Sequence, residues 1–178
     1  MSSTEERLEN KLLRKVNKAI WKYNMISDGD RIAVAISGDK DSLSLLHLLD
    51  ARHASSKEKY ELIAIHVMGD ANGSRKTPHQ QLVSWLKAND YECIYKPLFL
   101  PEDESPPLDC QRCSWNRKRT LFKAAQRLGC NVVCFGHNAD DLAQTTLLNV
   151  IYQGRAETML PTQNYFDGAI RVIRPLYN

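Results

Sequence analysis

The sequence predicts a doubly wound α/β fold, a mostly parallel five-stranded sheet with helices on both faces. Three observations predict it. Short apolar runs alternate with longer stretches of helical periodicity. The short runs are nearly continuously apolar, as strands buried on both faces are. Two of them end in small polar clusters, "SGDKDS" and "GHNADD", where a strand turns into a helix. In open α/β sheets, ligands bind beyond the carboxyl ends of the strands.

The elements follow in order. Residues 1–26 read as a basic amphipathic helix, with Leu8, Leu12, Leu13, Val16, Ala19, Ile20 and Tyr23 at helical spacing and Ser3 and Glu6 spaced as a capping box. "SDGD" is turn chemistry. "RIAVAI" is the first strand, followed by a helix from Asp41 to Ala54. "YELIAIHV" is the second strand, and "PHQQLVSWLKAND" a helix with Pro78 near its first position. "YECIYKP" is the third strand and "LPEDESPPLD" an acidic, proline-rich loop. "CSWNRKRTLFKAAQRLG" is a helix closed by Gly129. "NVVCFG" is the fourth strand, "ADDLAQTTLLNVIYQG" the next helix and "AIRVIRPL" the last strand. No internal repeat is visible.

A chain of 178 residues can build one domain with a real core. No apolar stretch approaches the roughly 20 residues of a membrane helix, and "MSSTEERLENK" lacks the apolar region of a secretory signal. These features point to a cytoplasmic protein without a membrane partner. A net charge of +3 permits an acidic partner without requiring one. In such a compartment five cysteines are metal ligands, redox groups or core residues rather than disulfides.

"SGDKDS" has the composition of a phosphate loop. Gly38 lets backbone amides approach an anion, and the helix start adds its dipole. Ser37 and Ser42 contribute hydroxyls and Lys40 a mobile positive charge. Asp41 suits such a loop if it holds Mg²⁺, a hard cation that prefers oxygen ligands. The plainer reading is a capped helix start. No Walker loop and no G-x-G-x-x-G fingerprint occurs in the chain.

"SGDKDS" resembles the S-G-G-x-D-S loop of the PP-loop, or N-type ATP pyrophosphatase, superfamily. "CQRCSWNRKRTLF", "GHNADDLAQTTLLN" and "RVIRPL" extend the likeness to the tRNA 2-thiocytidine synthetase family. The resemblance implies a Rossmann-like domain over residues 27–178 that splits ATP between its α and β phosphates. It implies pyrophosphate held by Ser37, Gly38, Lys40 and Ser42, Mg²⁺ held by Asp41 and Asp141, and an adenine contact around Val67 and Met68. It also implies an iron–sulfur cluster, of the 4Fe–4S type, on Cys110 and Cys113. The family supplies a third cluster cysteine beyond the last strand, whereas this sequence ends at Asn178. The implied partners are tRNA and a sulfur donor, sulfide or a cysteine desulfurase; a homodimer is left open.

Asp39 replaces the family's second loop glycine. It takes part in metal binding, points away, or weakens pyrophosphate binding by placing a carboxylate beside it. The implied reaction is adenylation of the C2 oxygen of a tRNA cytidine, followed by its replacement with sulfur. Two alternatives stand beside it. One is a ligase resembling the tRNA-isoleucine lysidine synthetases, which the C-x-x-C spacing disfavours. The other is a nucleotide-binding module without catalysis, which Asp39 and the early end favour.

Cys110, Cys113, Cys130 and Cys134 look like a zinc module on paper. Cys130 and Cys134 flank a strand, however, and four residues of strand span ~13 Å. Both thiols cannot reach one ion at ~2.3 Å. Cys134 and Cys93 therefore read as core residues, whereas Cys130 stays open. Cys110 and Cys113 lie on a loop at a helix start, where thiolates are stabilised. In "GHNADD", Gly136 lets the chain turn close to a ligand, and His137 and Asn138 are polar groups at a strand end. Asp140 and Asp141 favour the first helical turn in any case; the functional reading is that Asp141, alone or with Asp140, completes the Mg²⁺ site or positions the substrate. The helix after C-x-x-C carries Arg117, Lys118, Arg119 and Lys123, placed to meet tRNA phosphates, with ATP as a second target for Arg119. Arg7, Lys11, Arg14, Lys18 and Lys22 share one face of the first helix, for RNA or simply for water.

Overall fold

The computed structural model describes residues 3–73 and 77–177. Its elements run α1 (Ser3–Lys22), β1 (Arg31–Ala35), α2 (Lys40–Ser55), β2 (Glu61–Met68), α3 (Gln80–Ala88), β3 (Cys93–Pro97), α4 (Cys110–Arg127), β4 (Val132–Cys134), α5 (Ala139–Gln153), β5 (Thr162–Tyr165) and β6 (Ile170–Ile173). The Ser3 side chain, and with it the expected capping box, falls outside the described residues. Among the described residues no helix is long and apolar enough to cross a membrane.

Among the described residues the sheet has six strands, in the order β3-β2-β1-β4-β6-β5. Five are parallel, and they are the five expected. β5 is the correction: it pairs antiparallel with β6, Thr162 opposite Ile173 and Tyr165 opposite Ile170. Its sequence, TQNY, is polar and half exposed, so it offers no apolar run to detect. The tight return at Phe166–Gly168, all three with positive φ, fixes it as an edge hairpin.

Alternation along β1 shows why the sheet needs both layers. Ile32 and Val34 join one buried cluster with Val16 and Ile20 of α1, Leu45 and Leu49 of α2, and Leu82 and Leu86 of α3. Ala33 turns to the opposite cluster, with Leu121, Ala124 and Ala125 of α4. The N-terminal helix is thus part of the core, while Arg7, Lys11, Arg14, Lys18 and Lys22 remain exposed.

Two helix starts differ from expectation. α4 begins at Cys110 rather than Cys113, because the Asp109 carboxylate caps it by accepting the Arg112 amide at 2.7 Å. Both cysteines of the C-x-x-C pair are therefore inside the first helical turn rather than on a loop. α3 has His79 at its cap position, so Pro78 precedes the helix.

Asp30, 4% exposed, clasps the amino ends of three strands. Its carboxylate accepts from the Ser27 amide at 2.7 Å, the Asn131 side chain at 2.8 Å and the Arg171 guanidinium at 2.6 Å. Asn131 in turn accepts the Arg31 amide at 2.8 Å. Asp30→Ala strands these donors and is expected to cost about 3 kcal/mol. Urea unfolding of the variant checks it; a loss below about 1 kcal/mol contradicts the clasp.

Candidate active site

β1 and β4 are neighbours, and the chain leaves them in opposite directions: β1 leads toward β2 and β3, β4 toward β6. This is the switch point at which a doubly wound sheet opens a crevice. A cleft of about 470 Å³ lies there, lined by residues from the ends of β1, β2 and β4 and from α2, α4 and α5.

The loop after β1 folds around Ser42, which is 2% exposed. The Ser37 hydroxyl donates to Ser42 Oγ at 2.9 Å, the Gly38 amide donates to the same oxygen at 3.3 Å, and Ser42 Oγ donates to the Asp39 carbonyl at 3.1 Å. Asp39 is the N-cap of α2, its carboxylate accepting the Ser42 amide at 2.8 Å. Burial pushes the Asp39 carboxyl up, but hydrogen bonds from the Ser42 amide and the neighbouring serine hydroxyls outweigh it and leave the group below the usual range. Of the three roles open to Asp39, pointing away is excluded. The side chain lines the cleft and holds a helix-end amide that a phosphate would use.

The loop after β4 meets this one backbone to backbone. A Cβ on Gly136 would stand 3.0 Å from the Ser42 nitrogen and 3.1 Å from the Asp41 carbonyl carbon. Gly136 therefore allows the contact between the two loops, and it also lines the cleft. Asn138 then joins the acids. Its backbone N–H donates to Asp141 Oδ2 at 2.8 Å and its Nδ2 donates to Asp41 Oδ2 at 3.2 Å. Its own Oδ1 accepts the Asp140 and Asp141 amides in a capping box. Asp141 lines the cleft, whereas Asp140 is exposed outside it.

Of the three carboxylates lining the cleft, Asp41 and Asp141, joined through Asn138, suit Mg²⁺, which takes one or two protein carboxylates and completes its shell with water and phosphate oxygens. Among the described residues no group of three or more His, Cys, Asp or Glu side chains could hold an ion without such help. Cys110 and Cys113 stand three residues apart in the first turn of α4, so they share a helix face. They can give a cluster two thiolates, and further ligands must come from elsewhere.

His137 lines the cleft with its ring 5.4 Å from that of Phe135, and its buried Nδ1 has no hydrogen-bond partner among the described residues. Burial, then the nearby Arg174 charge, lowers its pKa and keeps the ring neutral. A cleft-lining ring with an unsatisfied buried nitrogen fits a ligand-binding role.

The remaining expected residues divide. Ser37, Ser42, Val67 and Lys118 line the cleft. Gly38 lines an adjoining pocket and Met68 another on the far side of β2. Lys40 is exposed and outside the cleft lining. Two arginines exchange places. Arg117, expected on an RNA-facing surface, turns into the cleft and donates to the Val67 carbonyl at 3.1 Å and to the Gly69 carbonyl. Arg119, which had ATP as a second target, lies outside over Phe99 at 5.2 Å, with Lys123 over the same ring at 4.2 Å.

Ala35, Ile36, Ile65, Ser114, Leu121 and Phe135 line the cleft without having been expected there, and Asn138, expected only as a polar group at a strand end, proves to join the two acids. Only Asn138 carried a signal, as a cap residue three before an acid.

The cysteines separate by environment. Cys134 and Cys130 are buried on opposite faces of the sheet, one in each core cluster, which rules out a shared ion. Burial pushes both thiols up and raises Cys93 to about 11. Cys110 is exposed and Cys113 half-buried.

A family model described as a PP-loop domain matches residues 5–178. The chain is 34% identical over 182 residues to the tRNA-cytidine(32) 2-sulfurtransferase of Geotalea uraniireducens, spanning 99% of this chain and 71% of that one. It is 38% identical over 178 residues to the enzyme of the same name from Syntrophotalea carbinolica, spanning 99% and 69%. Among solved structures it resembles the U34-tRNA thiolase NcsA from Methanococcus maripaludis, whose structure includes a 4Fe–4S cluster. That match has a TM-score of 0.69 at 23% identity, covering 94% of this chain and 57% of the thiolase. At this identity the likeness establishes the fold.

Iodoacetamide at pH 8 is expected to label Cys110 and Cys113 in the folded protein and to leave Cys93, Cys130 and Cys134 until urea is added. With a pKa of about 11, only about one Cys93 thiol in a thousand is thiolate at that pH. Peptide mass spectrometry reads the result, and early labelling of Cys134 contradicts its place in the core.

Proposed function

This chain belongs to the PP-loop family, among the relatives of the tRNA-cytidine(32) 2-sulfurtransferases, and from that premise we propose that it is an ATP-dependent tRNA thiolation enzyme acting on a cytidine. One observation carries the reading. Asn138 ties Asp41 to Asp141 across the switch-point cleft, and the helix forming one wall of that cleft begins with the C-x-x-C pair.

The chemistry has two halves. The cytidine C2 oxygen attacks the α-phosphorus of ATP, the α–β bond breaks, and pyrophosphate leaves. Sulfide then adds at C2, the C2–O bond breaks, and AMP departs with the oxygen. The Ser37 and Ser42 hydroxyls and the start of α2 receive the pyrophosphate half. Val67, at the end of β2, faces the adenine half. His137, held neutral, hydrogen-bonds without adding charge where the nucleoside must enter. Asp41 and Asp141 would hold Mg²⁺, which offsets the negative charge of the phosphates. Cys110 and Cys113 would hold a 4Fe–4S cluster that supplies a site for sulfide, with further ligands besides these two thiolates.

The RNA meets the outer side of α4. Trp115 is 59% exposed and Phe99 42% exposed. With Arg119 and Lys123 over Phe99, the patch joins aromatic faces to cations, as recognition of unstacked loop bases requires. Lys118 lies between this patch and the cleft it lines.

The test is anaerobic incubation of the protein with labelled ATP, Mg²⁺, sulfide and bulk tRNA. The expected products are AMP, pyrophosphate and a 2-thiolated cytidine, with turnover falling steeply as salt rises. ADP would overturn the PP-loop chemistry. AMP with lysine replacing sulfide would favour the lysidine ligase.

One observation favours the non-catalytic module: Asp39 already occupies the helix-end amide. Asp39→Gly costs an N-cap only a few tenths of a kcal/mol and removes a carboxylate from beside the phosphates. ATP affinity is expected to rise about fivefold or more, read by calorimetry, with turnover rising too. A fall in both would make Asp39 a contributor to the Mg²⁺ site.

A further inference from the structure

We propose that Arg117 is a nucleotide-displaced latch: its guanidinium closes the base site while that site is empty and yields it when adenine enters. The inference rests on the ATP reading above and adds a specificity-determining residue to it.

Backbone accounting points to the latch. Along β2, carbonyls alternate between the two neighbouring strands. The Met68 carbonyl accepts from Leu98 on the β3 side at 2.7 Å. The Ile65 carbonyl accepts from Ile36 on the β1 side at 2.9 Å. The Val67 carbonyl follows Ile65 in that alternation, but β1 has ended at Ala35 and the chain has turned away. A buried strand edge without a neighbour needs other partners. Arg117 supplies them, donating to Val67 at 3.1 Å and to Gly69 beyond it. The planar fork of the guanidinium can serve two carbonyls at once.

An adenine ring that reads the same edge must do so with its 6-amino group, a donor competing for the carbonyl that Arg117 now holds. Arg117 also lines both the main cleft and the adjoining pocket of about 300 Å³ bounded by Gly38, His66 and Leu82. The side chain is thus a partition. When it turns aside, the two spaces join around Val67, and its charge moves toward Ser37 and Asp41, where phosphates bind. α4 fixes the pivot, since Cys110, Ser114, Arg117 and Leu121 share one helical face.

The latch makes opposite predictions for the two halves of the nucleotide. Calorimetric titrations of adenosine and of ATP with Mg²⁺ compare the full chain with Arg117→Met and Arg117→Lys. Removing the guanidinium frees the base site, so Arg117→Met should bind adenosine about tenfold tighter. The same variant should bind ATP no tighter than wild type, because the charge that met the phosphates is gone. Arg117→Lys keeps a charge but cannot fork across two carbonyls, so adenosine should tighten while ATP affinity is kept. Its fold is testable should the methionine variant fail. Loss of affinity for both ligands together would make Arg117 a structural prop and overturn the latch, as would no change for either. ATP binding by wild type alongside such results leaves the nucleotide reading intact. Wild type that binds neither ligand overturns both.

Discussion

The contact between Gly136 and the Asp41–Ser42 backbone sets the terms for everything else at this site. Two loops, each leaving its strand for a different side of the sheet, come within a single atom's width of each other. A Cβ at residue 136 would stand 3.0 Å from the Ser42 nitrogen, tight enough to push the loops apart. Because they touch, the start of α2 and the start of α5 open onto one cleft. Asn138, capping α5, can then reach Asp41 with its side chain while its own amide holds Asp141. Without the close approach these would be two unrelated helix caps.

The charge balance of the cleft follows from that geometry. Asp39, Asp41 and Asp141 line a space that also has helix-end amides, serine hydroxyls, Arg117 and Lys118. Three carboxylates repel an anion, and helix termini attract one. A divalent cation would reconcile the two, because it would convert carboxylates from competitors of phosphate into partners for it. His137 adds no positive charge, since its burial and the Arg174 charge hold it neutral.

α4 carries several tasks on different faces of one cylinder. The stripe of Cys110, Ser114, Arg117 and Leu121 faces the cleft side, with Leu121 and Ala125 buried against the sheet. The stripe of Trp115, Arg119 and Lys123 faces outward. The Asp109 cap sets where this helix begins, and so brings both cysteines into rigid helical register with the cleft residues. A loop would have left their separation free.

The five parallel strands and their helices could be read from the sequence because continuous apolar runs and 3.6-residue periodicity are local properties of the chain. "SGDKDS" and "GHNADD" were legible for the same reason: each falls where one such pattern changes to another. β5 was not legible, because TQNY is polar and owes its pairing to the hairpin and to β6. Nor were the roles of Asn138 and Gly136, which depend on contacts with residues about 95 positions away. Arg117 and Arg119 are two residues apart in one basic run, and composition treats them alike. Only the 100° step of the helix, and the unpaired carbonyls waiting at the end of β2, send one inward and leave the other outside. The sequence by itself determined the elements and the chemistry available at their ends. The tertiary structure decided which ends meet, because that depends on strand order, and strand order is a property of the assembled sheet.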